Sequence, residues 1–199
     1  MLIFVCSFSL FAQSSVTKEE YAVYARVLRY IRLENLEQSK TAFSFVILDD
    51  TFKPKDITEY KNGRFRSLSK DFKLKNLTSS KLEKSFPVNY DYEITNQSQI
   101  DELLKIGGKE FERIEAEYKL RNIGITDKNS FVWEPFYAKY PNADGYYRFS
   151  RVGFSSGKIF ALVSVEGQGG FWSSNMECIL KKTNGKWIIY QVGSSFGIT

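Results

Sequence analysis

The stretch YYRFSRVGFSSGKIFALVSVEGQGGFWSSNMECILKKTNGKWIIYQV, residues 146–192, decides the fold because much of it alternates apolar and polar residues with a period of two. Turn residues interrupt it at Ser155–Gly157, Gly167–Gly170 and Asn184–Gly185. Asn-Gly tolerates the positive φ angles of a type I′ turn and is the strongest hairpin signal in the chain. The stretch therefore predicts four antiparallel strands in sequence order: Tyr146–Phe154, Lys158–Val165, Phe171–Lys182 and Lys186–Val192.

Two upstream segments have helical spacing. Thr17-Lys18-Glu19-Glu20 is a capping box, and it opens a helix with a broad apolar stripe that extends to about Leu36. Ile100–Tyr118 has similar spacing, and Gly107-Gly108 in its middle predicts a kink or a division into two helices. A strand is expected at Thr41–Leu48, and loops with short helical turns over 51–97. The order predicts an α+β fold: a curved antiparallel sheet of four to six strands with two helical segments packed on one face.

The first residues predict export. Residues 2–12 form an uncharged apolar run that ends at Ala12. This is the length of a secretory signal core, and it is too short to cross a bilayer as a helix. Cleavage after Ala12 would leave a single domain, residues 13–199, in the periplasm or outside the cell, with no transmembrane segment. The alternative is a first helix or strand packed into the fold.

The composition of the chain limits the kinds of catalytic and metal-binding site that it can form. The chain has no histidine, which excludes Ser-His-Asp and Cys-His nucleophiles and His-rich zinc sites. No glycine-rich phosphate loop or calcium loop is present in the sequence, so neither a cofactor nor a metal is expected. After cleavage Cys178 would be the only cysteine, so no internal disulfide is expected. Carboxylates are the acid and base groups that remain.

The positive charge of the chain is concentrated in one segment. Lys53–Lys84 contains ten Lys or Arg against four Asp or Glu, a surplus of six, whereas the whole chain has a net charge of +5. Such a segment can bind an anionic ligand, a lipid surface or an acidic polysaccharide. The alternative is a solvated surface in which the charges alternate. Nucleic acid is not an expected partner of an exported protein.

Aromatic residues are dense between Phe131 and Tyr147, where strand-like spacing is expected to begin. Trp133, Tyr137 and Tyr140 are candidates for a platform that stacks on a sugar or peptide, or they fill the space between the sheet and its cover. A separate acidic pair, Asp49 and Asp50, follows the end of a predicted strand. These two residues are the alternative acids of a carboxylate-dependent hydrolase.

Several of these residues also resemble a known pattern. Phe136-Tyr137-x-x-Tyr140-Pro141, Ser150-Arg151-Val152-Gly153-Phe154, Ala161-Leu162-Val163 and Gly185-Lys186-Trp187 resemble a pattern in uncharacterised exported bacterial proteins, over roughly residues 70–190. The resemblance implies no activity. The order of helix first and sheet last is more distantly similar to cystatin-like and nuclear-transport-factor-like domains, whose cone-shaped pocket can hold a small ligand.

Arg151 is the residue that both the resemblance and the local pattern single out. A guanidinium among apolar neighbours needs a carboxylate or several carbonyls as partners. It is either a clamp for an anionic ligand or a structural pair with Asp71 or with Asp49-Asp50. The sequence thus predicts a non-enzymatic exported module that binds a ligand or partner, with a hydrolase as the alternative.

Overall fold

The computed structural model describes residues 15–38, 44–55, 65–82, 86–121 and 127–198, and their side chains except at 34–38 and 194–198. The expected signal segment lies outside these residues. Within them the chain forms four α-helices: α1 (Lys18–Gln38), α2 (Arg66–Lys75), α3 (Gln97–Leu120) and α4 (Lys128–Lys139). The strands are β1 (Phe45–Leu48), β2 (Tyr92–Thr95), β3 (Tyr146–Phe149), β4 (Gly153–Phe154), β5 (Phe160–Gln168), β6 (Trp172–Thr183) and β7 (Lys186–Ile198), with a 3₁₀ turn at Ser156–Lys158.

The sheet is open and mixed. Its strand order is β2-β1-β3-β5-β6-β7, and β4 pairs with β5 outside this path. β1 runs parallel to both β2 and β3, while the remaining pairs are antiparallel. The α+β class is confirmed, but the expectation of four to six antiparallel strands was wrong. Helical connections separate β1, β2 and β3 in sequence, and such crossovers join strands that run in the same direction.

The predicted meander is present with one change. β3, β5, β6 and β7 follow each other as antiparallel neighbours. The hairpin turn has positive φ at both central residues, 50° at Asn184 and 75° at Gly185, as a type I′ turn requires. The strand expected over Tyr146–Phe154 is divided into β3 and β4. Arg151 and Val152 leave the ladder between the two parts.

Helices cover both faces of the sheet, so the expectation of two helical segments on one face was wrong. All four residues of β1 are buried. Phe45 and Ile47 belong to the core under α1, and Val46 and Leu48 belong to the core under α3 and α4. Successive residues of a strand point to opposite faces, so a strand that is apolar throughout needs cover on both. α2 lies on the same face as α3 and packs on Phe160, Leu162 and Ile179.

The predicted break at Gly107-Gly108 was also wrong, because α3 is continuous. A Cβ atom at Gly107 would lie 2.3 Å from the carbonyl oxygen of Val132 in α4. The missing side chain therefore allows the two helices to approach closely. α4 itself replaces the strand-like spacing expected from Phe131 onward; Asp127 caps it by accepting from Ser130 N at 3.1 Å. None of the described helices is long and apolar enough to cross a bilayer.

Candidate anion-binding groove

Arg151, the leading candidate from the sequence, is buried in an ion pair with Glu20. Its Nε donates to Glu20 Oε1 at 2.7 Å, and its Nη2 donates to Oε2 at 3.0 Å. Its Nη1 donates to the hydroxyl of Ser80 at 2.8 Å. The Arg151 side chain is 2% exposed and the Glu20 side chain 0%. The guanidinium therefore ties the break between β3 and β4 to the first turn of α1.

The capping box prepares Glu20 for this pair. The backbone N and the hydroxyl of Thr17 donate to Glu20 Oε2 at 2.8 and 3.0 Å, and Glu20 N donates to Thr17 Oγ1 at 3.3 Å. Burial disfavours the charged form of Glu20, but the hydrogen bonds from Arg151 and Thr17 outweigh it and hold its pKa below the usual value. The predicted capping box is confirmed, and its carboxylate also neutralises Arg151.

The partners expected for Arg151 were wrong. Asp71 accepts from a backbone N–H of β4 at 2.7 Å. Asp49 accepts from Lys81 Nζ at 2.8 Å, and Asp50 pairs with a different arginine. All three guanidinium nitrogens of Arg151 donate to protein groups. The geometry favours the structural role of Arg151 over a clamp on a ligand.

The three aromatic candidates hold α4 on the sheet. Trp133 and Tyr140 are each 5% exposed and belong to the core under α3 and α4. Tyr137 is half-buried; its hydroxyl donates to the backbone carbonyl of Asp144 at 3.1 Å and accepts from the backbone N–H of Gly170 at 3.0 Å. These contacts place the three rings between α4 and the sheet, as expected for side chains that fill the core and not for a platform that stacks on a ligand.

Asp50 belongs to a polar cluster on the face of α2, α3 and α4. Arg148 Nη2 donates to Asp50 Oδ2 at 2.8 Å, and Glu166 faces Arg148 across the β3–β5 ladder. Burial raises the pKa of Glu166, although the Arg148 charge opposes the shift. Asp50 Oδ1 is shielded from solvent and has no hydrogen-bond partner within the described residues. Sequence reasoning found Asp50 but missed Glu166, which is 116 positions away.

A different site, which the sequence analysis did not single out, lies between α1, the loop before β2 and the β6–β7 hairpin. This α1 groove has a volume of about 360 Å³. Its charged lining residues are Arg26, Arg29 and Lys186, and none of the described residues that line it is acidic. The other lining residues are Ala22, Ala25, Pro87, Val88, Asn89, Tyr90, Gly185 and Trp187.

Cations converge on Tyr90 at the end of this groove. The Arg32 guanidinium carbon lies 4.8 Å from the centre of the Tyr90 ring. Burial raises the pKa of Tyr90 to about 12, while the charges of Arg32 and Arg29 oppose the shift. The Nε atoms of Arg26 and Arg32 are shielded from solvent and have no acceptor in the part of the chain that the structure describes. Among the described residues the groove is thus lined by positive charge and by no carboxylate, and Arg32 lies beside its Tyr90 end.

The two acidic residues in the first turn of α1 pair with basic residues outside the groove. Glu19 Oε1 accepts from Lys182 Nζ at 2.6 Å and from Trp187 Nε1 at 2.9 Å, and Glu20 pairs with Arg151. The sequence of α1 contains four basic and four acidic residues, so its net charge is zero. The composition of this helix therefore did not indicate an anion-binding site. The spacing of three between Arg26, Arg29 and Arg32 is the pattern that would have indicated a basic stripe.

No comparison with known proteins assigns a ligand to the α1 groove, so its function is inferred from the residues that line it. The resemblance to exported bacterial proteins and to cystatin-like or nuclear-transport-factor-like domains stays a prediction. No protein-family profile matches the chain, and no curated protein or solved structure is significantly similar to it.

Proposed function

We propose that the protein is an exported, non-enzymatic module that binds an anionic ligand in the α1 groove. The observation that carries this proposal is the lining of the groove, whose charged side chains among the described residues are all basic: Arg26, Arg29 and Lys186. The buried Nε of Arg26 also has no acceptor among the described residues. A buried donor without an acceptor costs about 1–3 kcal/mol, more for a charged group. An anion that accepts from the Arg26 guanidinium, which lines the groove, removes that cost when it binds.

The ligand class follows from the guanidinium groups. Their planar donors match the oxygens of carboxylate, phosphate or sulfate groups, which they bind in pairs. Arg29 and Lys186 are exposed at the rim of the groove and add positive charge there. Ligands with several anionic groups, such as an acidic polysaccharide, fit this distribution better than a single small anion.

Binding is favoured over reaction by the protonation states in the groove. Arginine stays protonated at any physiological pH. Burial raises the pKa of Tyr90 to about 12, so its phenol does not accept or release a proton near neutral pH either. The groove therefore supplies charge and hydrogen bonds, but among its described residues it has no general base.

Calorimetric titration with pyrophosphate and with polygalacturonate tests the proposal. Wild-type protein is expected to bind at least one probe at low ionic strength and to lose affinity near 1 M salt, where the screening length is about 3 Å. The variant Arg29→Gln with Lys186→Gln removes two exposed charges and should bind at least about tenfold more weakly, which is 1.4 kcal/mol.

A matched control separates the groove from net charge. Arg113→Gln with Lys119→Gln removes the same two charges from the exposed surface of α3. Its affinity should stay within about twofold of wild type. An equal loss in both variants, or no binding of either probe by wild type, would overturn the proposal.

The polar cluster supports a second candidate function, a carboxylate-dependent hydrolase. Asp50 and Glu166 flank Arg148, and burial raises the pKa of Glu166, as a general acid requires. In this interpretation Glu166 donates a proton and Asp50 is the second carboxylate of the site. Turnover of nitrophenyl glycosides should then be lost in Glu166→Gln and in Asp50→Asn but kept in Asp49→Asn. Wild-type protein that hydrolyses none of them at any pH between about 4 and 8 would contradict this second candidate.

A further inference from the structure

The two edges of the sheet differ strongly in length and charge. β2 ends the sheet on one side and has only four residues, with acidic Asp91 just before it and Glu93 within it. β7 ends the sheet on the other side and has 13 residues. An edge strand exposes a row of backbone N–H and C=O groups that can pair with another strand.

β7 lacks the charges, the prolines and the short length that usually protect an edge from pairing, although its ladder with β6 has a bulge at Tyr190. No residue from Trp187 to Thr199 is charged, and none is proline. Two of its large apolar side chains are exposed, Ile188 at 40% and Tyr190 at 46%. Natural edge strands are short, charged or interrupted by proline, because a long uncharged edge favours association. β2 has the first two of these features, whereas β7 has none of them over most of its length.

We propose that two copies of the chain associate by antiparallel pairing of their β7 edges around a twofold axis perpendicular to the sheet. A second copy is the occupant that the charges favour, since the only charged residue of β7, Lys186, lies at one end. Antiparallel pairing places each Lys186 beside the uncharged far end of its partner strand. The exposed side chains of Ile188 and Tyr190 meet the same uncharged strand across the axis. An interface in which each copy uses the same patch closes at two copies.

This arrangement has a consequence for binding, which rests on the proposed function. A twofold axis perpendicular to the sheet keeps α1 of both copies on the same face. Each α1 groove includes Lys186 at the start of β7. With about 3.4 Å per residue, the two ends of a fully paired 13-residue strand lie about 40 Å apart. A ligand chain that reaches both grooves would bind the pair more tightly than one copy.

Light scattering after size-exclusion chromatography tests the association without any ligand. Wild-type protein is expected at twice the chain mass of 23.0 kDa at concentrations of about 100 μM. The variant Ile188→Lys with Tyr190→Lys replaces exposed apolar side chains near the axis with charges that the interface would desolvate, so it should have the mass of a single chain. The control Ile106→Lys with Tyr118→Lys changes two exposed apolar residues of α3 and should keep the double mass.

Cysteine cross-linking tests the geometry. Gln191 is exposed and lies next to the midpoint of β7, so in the paired strands the two copies of Gln191→Cys are diagonal neighbours about 7–8 Å apart, and a short bis-maleimide should link them into a covalent dimer. Glu93→Cys on the opposite edge should not. The native Cys178 is buried, which raises its pKa to about 12, and it does not compete. All cross-linking variants also carry Cys6→Ser, so that the other native cysteine does not react.

The outcomes separate this inference from the proposed function. A wild-type chain that stays at single mass up to about 1 mM, or equal cross-linking at Gln191→Cys and Glu93→Cys, overturns the pairing and leaves the groove as it was. A dimer that binds neither pyrophosphate nor polygalacturonate keeps the pairing and overturns the proposed function.

Discussion

At the scale of single residues, Glu20 is expected to affect the stability of the fold strongly, because it is the counter-charge of the buried Arg151. Glu20→Gln keeps the shape of the side chain but leaves the Arg151 charge buried without a counter-charge. Loss of one partner from a buried ion pair costs about 3–5 kcal/mol, and we expect a loss of this size in urea unfolding at pH 7. Because the pKa of Glu20 is lowered, its stabilisation is present above the unfolded value of 4.5 and is lost as the pH falls through the folded value.

The control for this prediction is Glu110→Gln. Glu110 pairs with Arg113 on the exposed surface of α3, where both side chains are solvated. Its unfolding midpoint should stay close to wild type at every pH. Equal midpoints for Glu20→Gln and Glu110→Gln would show that the buried pair is not structural.

Arg151→Lys separates charge from geometry at the same pair. Lysine keeps the positive charge but loses the fork that contacts both carboxylate oxygens of Glu20 and the hydroxyl of Ser80. We expect a lower melting temperature, with a smaller loss than for Glu20→Gln because the charges still pair. Unfolding of Arg151→Lys at the wild-type temperature would exclude the structural role of the fork.

The contribution of Asp144 to stability has a pH dependence opposite to that of Glu20. Burial raises its pKa from 3.8 to about 6, although the Tyr147 hydroxyl donates to its carboxylate at 3.2 Å. The folded state therefore holds this proton more tightly than the unfolded state, so the stability it contributes is complete below pH 3.8 and is lost as the pH rises through 6. Asp144→Asn keeps an acceptor for Tyr147 and should be more stable than wild type by about 1–2 kcal/mol above pH 7. A stability difference that stays constant between about pH 4 and 8 would contradict the assignment.

At the scale of elements, alanine substitutions at the two adjacent glycines of α3 are predicted to have opposite effects on the stability of the fold. A Cβ at Gly107 would lie 2.3 Å from Val132 O, whereas a Cβ at Gly108 has nothing within 4 Å. Gly107→Ala should therefore push α3 away from α4 and destabilise the fold by about 1–3 kcal/mol. Gly108→Ala should stabilise it by up to about 1 kcal/mol, because alanine favours helix over glycine. Thermal unfolding of the two variants checks both signs, and a gain at Gly107 would exclude the tight helix contact.

The elements that could be predicted are those whose signal is local. The capping box at Thr17, the alternation in β6 and the Asn184-Gly185 turn depend on residues that are neighbours in sequence, and the structure confirms all three. α4 was missed because its dense aromatic residues and Pro135 favour a strand or a loop. Packing of Trp133 and Phe136 against the sheet outweighs that local preference.

The candidate sites were harder to predict because their partners are distant in sequence. Arg151 could be recognised as a residue that needs a carboxylate, but its partner lies 131 positions away. The α1 groove joins residues from α1, the loop before β2 and the last hairpin, and the balanced composition of α1 hides it. The net charge of a helix does not show that its basic and acidic residues lie on different sides of it.

At the scale of the whole molecule, one sheet separates two cores that share β1. Phe45 and Ile47 pack under α1, and Val46 and Leu48 pack under α3 and α4. Loss of packing on one face therefore disturbs the strand on which the other face depends. This shared strand predicts that both faces unfold together in one cooperative transition.

Tryptophan fluorescence can follow each face, since Trp133 lies in one core and Trp187 in the other. We compare two variants that each retain one of these residues as the only tryptophan. Adding Val46→Ala removes two methyl groups from the face of α3 and should cost about 2 kcal/mol. If the sheet couples the cores, the transition reported by Trp187 moves by the same free energy as that reported by Trp133, although Trp187 lies in the other core.

Leu33→Ala on the exposed side of α1 is the control and should move neither transition by more than about 0.5 kcal/mol. A Trp187 transition that stays at its original midpoint while the Trp133 transition moves would mean that the faces unfold separately. Coupling is the expected result because β1 lies between β2 and β3 and is buried on both sides, so neither core can keep its packing once this strand leaves the sheet.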